Sequence, residues 1–228
     1  IGAKHFAEVG TARGYQSFMW AQYLLETGSV GLVYTCDVDG MDQPIYRTPL
    51  TGGRVFTRRQ LWEYSPQERL IHFTHGHSSA LAQAIEYQLD LVFIDGEHTE
   101  EAVLKDFSAL VPHLRAESIV VFDDCDDRFP GVQKAVEYIG GSLKAATEII
   151  DFSPSPYKIA VMVMPSHVFQ VADPQSVACQ QSAAPAPVCS DSTTPDPGLL
   201  RGDRDLESQA ATVVPHVAIF TSPFELYL

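Results

Sequence analysis

Residues 5–15 read HFAEVGTARGY: a short apolar run, a turn with two glycines, and the start of a helical pattern that extends from Tyr15 to Glu26. The same order recurs along the chain. Four further apolar runs of strand length occupy residues 31–36, 70–74, 91–94 and 118–122. Helical patterns follow the last three runs at residues 78–87, 100–111 and 132–139. Strands that alternate with helices predict βαβ units and a parallel sheet covered on both faces.

Two more apolar runs, Thr147–Ile150 and Lys158–Met164, close this series. The connection between them is short and contains Ser153-Pro154-Ser155-Pro156. A parallel crossover needs a dozen or more residues, so this pair should be antiparallel. The predicted fold is therefore a three-layer α/β sheet with five parallel strands and an antiparallel final pair.

Two segments depart from the alternating pattern. Residues 40–65 contain prolines, glycines and the basic cluster Arg54, Arg58 and Arg59, and we interpret them as a long loop or lid. Residues 172–198 are rich in Ala, Pro, Ser, Gln and Asp, a composition that is typical of disorder. We expect one domain over residues 1–164 and a low-complexity, largely disordered tail over residues 165–228.

The chain is acidic. Its 228 residues include 29 acidic and 15 basic side chains, for a formal net charge of −14. Such a charge does not steer a protein toward nucleic acid or anionic lipid, and no apolar stretch approaches the ~20 residues of a membrane span. We expect a cytoplasmic location, no nucleic-acid or membrane partner, and a small neutral or cationic ligand. The sequence leaves open whether the chain forms a homo-oligomer.

Polar residues follow every predicted parallel strand, and ligands of open parallel sheets bind at the carboxyl ends of strands. Gly10 and Gly14 allow a tight turn and close approach of a ligand, although the same residues also fit an ordinary strand-to-helix turn. Asp37 ends the second strand, where an acidic side chain can accept hydrogen bonds from two ribose hydroxyls. Glu8 favours a cationic ligand over a pyrophosphate, and therefore S-adenosylmethionine over a dinucleotide.

Four segments resemble motifs of the class I S-adenosylmethionine-dependent methyltransferases: EVGTARGY, YTCD, DLVFIDGEH and VVFDDCDDRFPGV. The similarity covers about residues 5–164 and is greatest to the macrocin and mycinamicin type of small-molecule O-methyltransferase, and more distant to catechol O-methyltransferase. The resemblance implies a Rossmann-like methyltransferase sheet and transfer of a methyl group to a hydroxyl of a small molecule. The usual N-terminal helices of the group are missing, which leaves the substrate lid undefined.

The resemblance also implies roles for matching residues. The methionine part of the cofactor would be lined by Glu8, Gly10, Thr11, Gly14 and Tyr15. The acid that binds the ribose would be Asp37, and the adenine would lie beside Gly76, His77 and Ser78. The divalent cation of the metal-dependent members would lie at Asp95, Asp123 and Asp124, with Asp95 also next to the cofactor. His98 falls at the catalytic lysine of catechol O-methyltransferase, and Glu97 at a second carboxylate of some sugar enzymes.

The metal prediction also has a chemical basis. Three carboxylates at adjacent strand ends suit an octahedral Mg²⁺ or Mn²⁺ site, which would lower the pKa of an acceptor hydroxyl. His98 or Glu97 would then accept the proton, with Asp95 completing the catalytic group. The alternative is that Asp123, Asp124 and the nearby Asp126-Asp127 form a solvated acidic turn.

Other functions fit less well. A zinc site at His72, His75 and His77 is disfavoured because successive strand residues face opposite ways. The segment Gly76–Ala80 resembles a hydrolase nucleophile elbow only in part. A nicotinamide-dependent oxidoreductase would show three glycines in its turn, and this turn shows two. A catalytically inactive relative that binds the nucleotide and serves as an interaction module is the main rival.

Overall fold

The fold is built around one seven-stranded sheet, seen in a computed structural model that describes residues 2–47 and 55–169. The five strands that correspond to the predicted parallel series are β1 (His5–Val9), β2 (Leu32–Asp37), β5 (Ile71–His75), β6 (Leu91–Ile94) and β7 (Ile119–Phe122). The last two strands of the sheet are β8 (Ala146–Asp151) and β9 (Lys158–Val163). The spatial order is β5-β2-β1-β6-β7-β9-β8.

The first five strands pair in parallel, as the alternating pattern predicted. β9 is antiparallel to both β7 and β8. The sheet differs in one detail from the prediction of five parallel strands and an antiparallel final pair. β8 runs in the same direction as the first five strands, and only β9 is reversed. The final pair is antiparallel because the short Phe152–Tyr157 connection cannot form a crossover.

Helices cover the sheet. They are α1 (Tyr15–Thr27), α2 (Arg58–Trp62), α3 (Ser78–Ala84), α4 (Glu100–Leu110) and α5 (Pro130–Leu143). Within the described residues, three short 3-10 helices occupy Glu68–Leu70, Val111–His113 and Ser166–Phe169. The central strands β1 and β2 are buried along nearly their whole length, as expected for parallel strands that are covered on both faces.

The region predicted as a loop contains secondary structure instead. A small antiparallel hairpin, β3 (Pro44–Arg47) with β4 (Val55–Thr57), leads directly into α2. A capping box fixes the start of α2, since the Thr57 hydroxyl accepts from Gln60 N and the Gln60 side chain accepts from Thr57 N. Arg54, part of the predicted basic cluster, lies outside the described residues, and so does nearly all of the predicted tail. In the described part of the chain, no helix is both long and apolar enough to cross a membrane.

Candidate active site

A cavity of about 550 Å³ opens at the carboxyl ends of β1, β2, β5 and β6. This is the point where the strand order reverses, since the chain proceeds from β1 outward through β2 and β5 and then returns to β6 on the other side. The predicted site residues that line the cavity are Gly10, Asp37, Gly76, His77, Ser78, Asp95 and Glu97. The size suits a small-molecule cofactor.

Gly10 lines the cavity at the turn after β1. Its φ of 92° is unfavourable for other residues, and a Cβ at this position would overlap the carbonyl oxygen of Asp95. The amides of Gly10 and Thr11 both donate to the Cys36 carbonyl, at 3.0 and 3.1 Å. The turn after β1 is thereby held against the ends of both neighbouring strands.

Glu8, which the resemblance places beside the methionine part of the cofactor, does not line this cavity. Its side chain is 2% exposed, and its Oε2 accepts hydrogen bonds from Ser17 and Thr35. Burial raises the pKa of Glu8 to about 7, and the two hydroxyl donors offset part of that increase. Thr11 is also buried, with its hydroxyl 2.6 Å from that of Thr35. Glu8 and Thr11 thus support the turn after β1 through buried hydrogen bonds.

Gly14 and Tyr15 are also outside the cavity. A Cβ at Gly14 would overlap the Trp62 indole, so this glycine allows α2 to pack against the start of α1. Tyr15 is 76% exposed. The close approach that requires a glycine at this position is that of the Trp62 side chain.

Asp37 lines the cavity and is held by three donors. Its Oδ2 accepts from Ala12 N at 2.8 Å and from the Arg58 guanidinium at 2.9 Å, and its Oδ1 accepts from Asp39 N at 2.9 Å. The predicted strand-end acid is therefore in place, with one cationic partner that the sequence did not identify.

A second polar group adjoins the cavity. The side chains of Asp95, His98 and Asp124 offer ligand atoms that all lie within 4.8 Å of one another. His98 Nε2 is 3.8 Å from Asp95 Oδ1 and 3.2 Å from Asp124 Oδ2, and this buried atom makes no hydrogen bond with the described residues. Burial raises the pKa of Asp95 well above its ordinary value, and the charges of Asp123 and Asp124 raise it further.

Asp123 is not in that three-residue group, although the sequence predicted it as a metal ligand. Its Oδ1 accepts a hydrogen bond from the Tyr157 hydroxyl, which reaches in from the β8–β9 connection. Burial and this bond raise the pKa of Tyr157. Asp124 is the better placed of the two, because its Oδ1 pairs with Arg128 at 3.0 Å while its Oδ2 faces His98.

The predicted acidic turn after β7 is only partly solvated. Asp126 is 1% exposed and pairs with Arg128, whose guanidinium lowers the pKa of Asp126 to about 2. Asp127 is exposed. His75, considered above as a zinc ligand, places its Nε2 3.0 Å from the Val38 carbonyl.

Contacts to three predicted site residues were not identified from the sequence: that of Arg58 with Asp37, that of Trp62 with Gly14, and that of Tyr157 with Asp123. Arg58 was noted only as part of a basic cluster in a loop. The signal that could have singled it out is the capping-box pattern Thr57 to Gln60, which predicts a helix start at that point.

A sequence profile of the family described as "Methyltransferase domain" matches residues 7–125, just over half of the chain. The chain belongs to this family. The prediction of an S-adenosylmethionine-dependent methyltransferase is confirmed at this level, and the seven-stranded, mostly parallel sheet fits the Rossmann-like fold of such enzymes. No curated protein shows significant sequence similarity to the methyltransferase.

Two solved structures illustrate the fold. An O-methyltransferase from Bacillus cereus in complex with SAH is 17% identical, with a TM-score of 0.50 over 72% of this chain and 74% of that one. A provisionally assigned rRNA methylase from Clostridium thermocellum is 12% identical, with a TM-score of 0.53 over 72% and 88%. At these identities the similarity concerns the fold, so the absence of a nucleic-acid partner stays a prediction.

Proposed function

We propose that this methyltransferase transfers a methyl group from S-adenosylmethionine to a hydroxyl of a small molecule, with the help of a divalent cation. One observation carries the proposal: Asp95 belongs both to the wall of the strand-end cavity and to the three-residue group with His98 and Asp124. A methyl donor in the cavity and an acceptor hydroxyl at that group would be neighbours. This arrangement supports the resemblance to the macrocin and mycinamicin type.

The cofactor would bind with its ribose at Asp37 and its adenine near Gly76, His77 and Ser78, which line the same end of the cavity. Gly10 leaves room for the backbone to approach the ligand. Glu8 takes part indirectly, through its hydrogen bonds to Ser17 and Thr35 beneath the turn.

The donor set at the acceptor side suits a hard cation. Asp95 and Asp124 provide carboxylate oxygens just after the ends of the adjacent strands β6 and β7, and Asp123 retains one oxygen that Tyr157 does not use. Bound Mg²⁺ or Mn²⁺ would lower the pKa of the acceptor hydroxyl. His98 Nε2, which has no hydrogen-bond partner in the described residues, would accept the proton, and the preceding residue, Glu97, lines the cavity.

Calorimetric titration with S-adenosylhomocysteine, and with NAD as a comparison, tests the cofactor assignment. We expect binding of the first ligand only. Asp37→Asn should weaken it by roughly 1.5–3 kcal/mol, the usual effect of losing a hydrogen bond to a charged group. Asp42→Asn is the matched control, because Asp42 pairs with Arg59 on the exposed side of the same region. Equal affinities in Asp37→Asn and Asp42→Asn would contradict the assignment.

A further inference from the structure

We propose that Arg58 is a positioning residue that holds Asp37 in the orientation needed to bind the cofactor ribose. The inference rests on the proposed function, which assigns the ribose to Asp37. It goes beyond that function by giving the β3–β4–α2 region (residues 44–47 and 55–62) a role in recognition of the cofactor. No residue of α2 lines the described cavity, so Arg58 would act through Asp37 and not by contact with the ligand.

The first argument is the environment of the Arg58 side chain. It is completely buried, with its guanidinium carbon 4.8 Å from the centre of the Phe73 ring. A buried guanidinium is stable only when its donors are satisfied. Those donors are directed at backbone carbonyls of the strand-end loops and at one carboxylate, that of Asp37.

The second argument is a closed set of contacts among Asp37, Ala12 and Arg58. Ala12 N donates to Asp37 Oδ2 at 2.8 Å, and Ala12 O accepts from Arg58 Nε at 2.9 Å. Arg58 then donates to the same Asp37 Oδ2 at 2.9 Å. Ala12 has a φ of 45°, which is unfavourable for a residue with a Cβ and persists only where neighbours fix both of its backbone groups.

The third argument is the remaining acceptor capacity of Asp37. A carboxylate has about four lone-pair sites, two on each oxygen. Both sites on Oδ2 accept hydrogen bonds, one from Ala12 N and one from Arg58. Oδ1 accepts from Asp39 N and keeps one site. Arg58 therefore fixes which oxygen is available to the ribose. Without it, only the amides of Ala12 and Asp39 hold the carboxylate, and the orientation of its free lone pair toward the ribose hydroxyls is less sharply fixed.

The test compares S-adenosylhomocysteine with its 2′,3′-dideoxy analogue by calorimetry, in wild type and in Arg58→Met. The wild type should prefer the hydroxylated ligand by roughly tenfold to a hundredfold. In Arg58→Met this preference should fall to less than about threefold, while affinity for the dideoxy analogue changes little. Asp37 is 13% exposed at the cavity, so water can reach its carboxylate in this variant.

Trp62→Phe is the matched control. Trp62 is also buried in α2 and donates from its indole to the Arg13 carbonyl at 2.9 Å, but it does not contact Asp37. This variant should weaken both ligands in equal proportion and keep the wild-type preference. Arg58→Lys is the second variant in case Arg58→Met fails to fold. It retains the charge but not the planar set of donors, and its preference should lie between those of wild type and Arg58→Met.

Three outcomes would overturn the inference. A folded Arg58→Met that keeps the wild-type preference shows that Asp37 needs no positioning, and equal loss of affinity for both ligands shows a structural role only. If Arg58→Lys folds and Arg58→Met does not, a wild-type preference for the hydroxylated ligand in Arg58→Lys contradicts the inference. Failure of the proposed function looks different, because the wild type would then bind neither ligand, or Asp37→Asn would retain the preference.

Discussion

Gly10 and Asp95 lie so close that the first has no room for a side chain: a Cβ on Gly10 would overlap the Asp95 carbonyl oxygen. The contact joins the turn after β1 to the end of β6, and both residues line the cavity. The packing of two strand ends thus requires the same glycine that leaves space for a ligand.

Gly10→Ala should therefore destabilise the protein and weaken cofactor binding. The left-handed backbone alone costs ~1–2 kcal/mol for a residue with a Cβ, and the overlap adds to it. Urea unfolding and titration with S-adenosylhomocysteine measure the two effects. Gly141→Ala is the control, since a Cβ there meets nothing within 4 Å and removal of a helical glycine should stabilise by ~0.5–1 kcal/mol. A Gly10→Ala variant of wild-type stability would contradict the observed contact.

Glu8 should make the stability of the protein depend on pH. Its pKa is raised from 4.5 to about 7 by burial, so between these values the unfolded chain is ionised while the folded chain keeps the proton. Folding stability must therefore fall as the pH rises from about 4.5 to about 7, and the contribution is constant above that range. Glu8→Gln removes this dependence.

The measurement is urea unfolding of wild type and Glu8→Gln at pH 5 and pH 8. Relative to the wild type, the free energy of unfolding of Glu8→Gln should be higher at pH 8 than at pH 5 by ~3 kcal/mol, an order-of-magnitude value from the size of the pKa shift. Glu26→Gln, a change of the same kind at an exposed position of α1, should follow the wild type. Parallel behaviour of Glu8→Gln and wild type would show that Glu8 is ionised throughout.

Tyr157→Phe should lower turnover and leave cofactor affinity unchanged. The substitution removes the hydroxyl that donates to Asp123 but keeps the ring, which lies 5.2 Å from that of Phe152. Loss of a hydrogen bond to a charged group predicts a decrease of roughly tenfold to a hundredfold in kcat. Tyr87→Phe, at the opposite end of the sheet beside His5, serves as the control for loss of a tyrosine hydroxyl. If S-adenosylhomocysteine binding weakened as well, Tyr157 would support the fold and not the acceptor side.

Activity should disappear in EDTA and return with Mg²⁺ or Mn²⁺. Asp124→Asn should weaken Mn²⁺ binding more than tenfold, because it removes a charged ligand from the group with Asp95 and His98. Asp127→Asn changes an exposed carboxylate of the same turn and should have no effect. Paramagnetic resonance of added Mn²⁺ gives the affinity without any assay of activity. Full activity after exhaustive chelation would rule out the metal.

The same measurements separate two roles of His98. As a proton acceptor it can be replaced by Gln with a loss of roughly 10²–10⁴ in turnover and little change in Mn²⁺ affinity. We expect this result. A large loss of Mn²⁺ affinity in His98→Gln would instead make His98 a ligand of the cation, in the position that the sequence assigned to Asp123.

The sequence was sufficient for features that depend on local pattern. The parallel strands follow from apolar runs, and Asp37 and Asp95 lie at one edge because each directly follows such a run. The ion pair of Asp37 with Arg58 could not be predicted, because 21 residues separate the partners and their meeting depends on how α2 packs. The burial of Glu8 could not be predicted for a related reason: strand position gives the alternation of faces, but not the depth of burial.

A contact from a distant connection distinguishes the two adjacent carboxylates that the resemblance assigns to the metal. Asp123 and Asp124 are adjacent in sequence, yet their partners differ. The Tyr157 hydroxyl, from the β8–β9 connection, donates to Asp123, whereas Asp124 faces His98. Nothing in the residues around Asp123 indicates this partner, because 34 positions separate the two.

The burial of Arg58, the first residue of α2, against the strand-end turn has a consequence for dynamics. Opening of α2 would withdraw the guanidinium from Asp37 and the Trp62 indole from Arg13 in one event. A ligand that needs Asp37 in place binds only the closed form, and so must suppress that opening by mass action. Hydrogen–deuterium exchange should therefore slow at the Trp62 and Glu63 amides when S-adenosylhomocysteine is added, although neither residue lines the cavity.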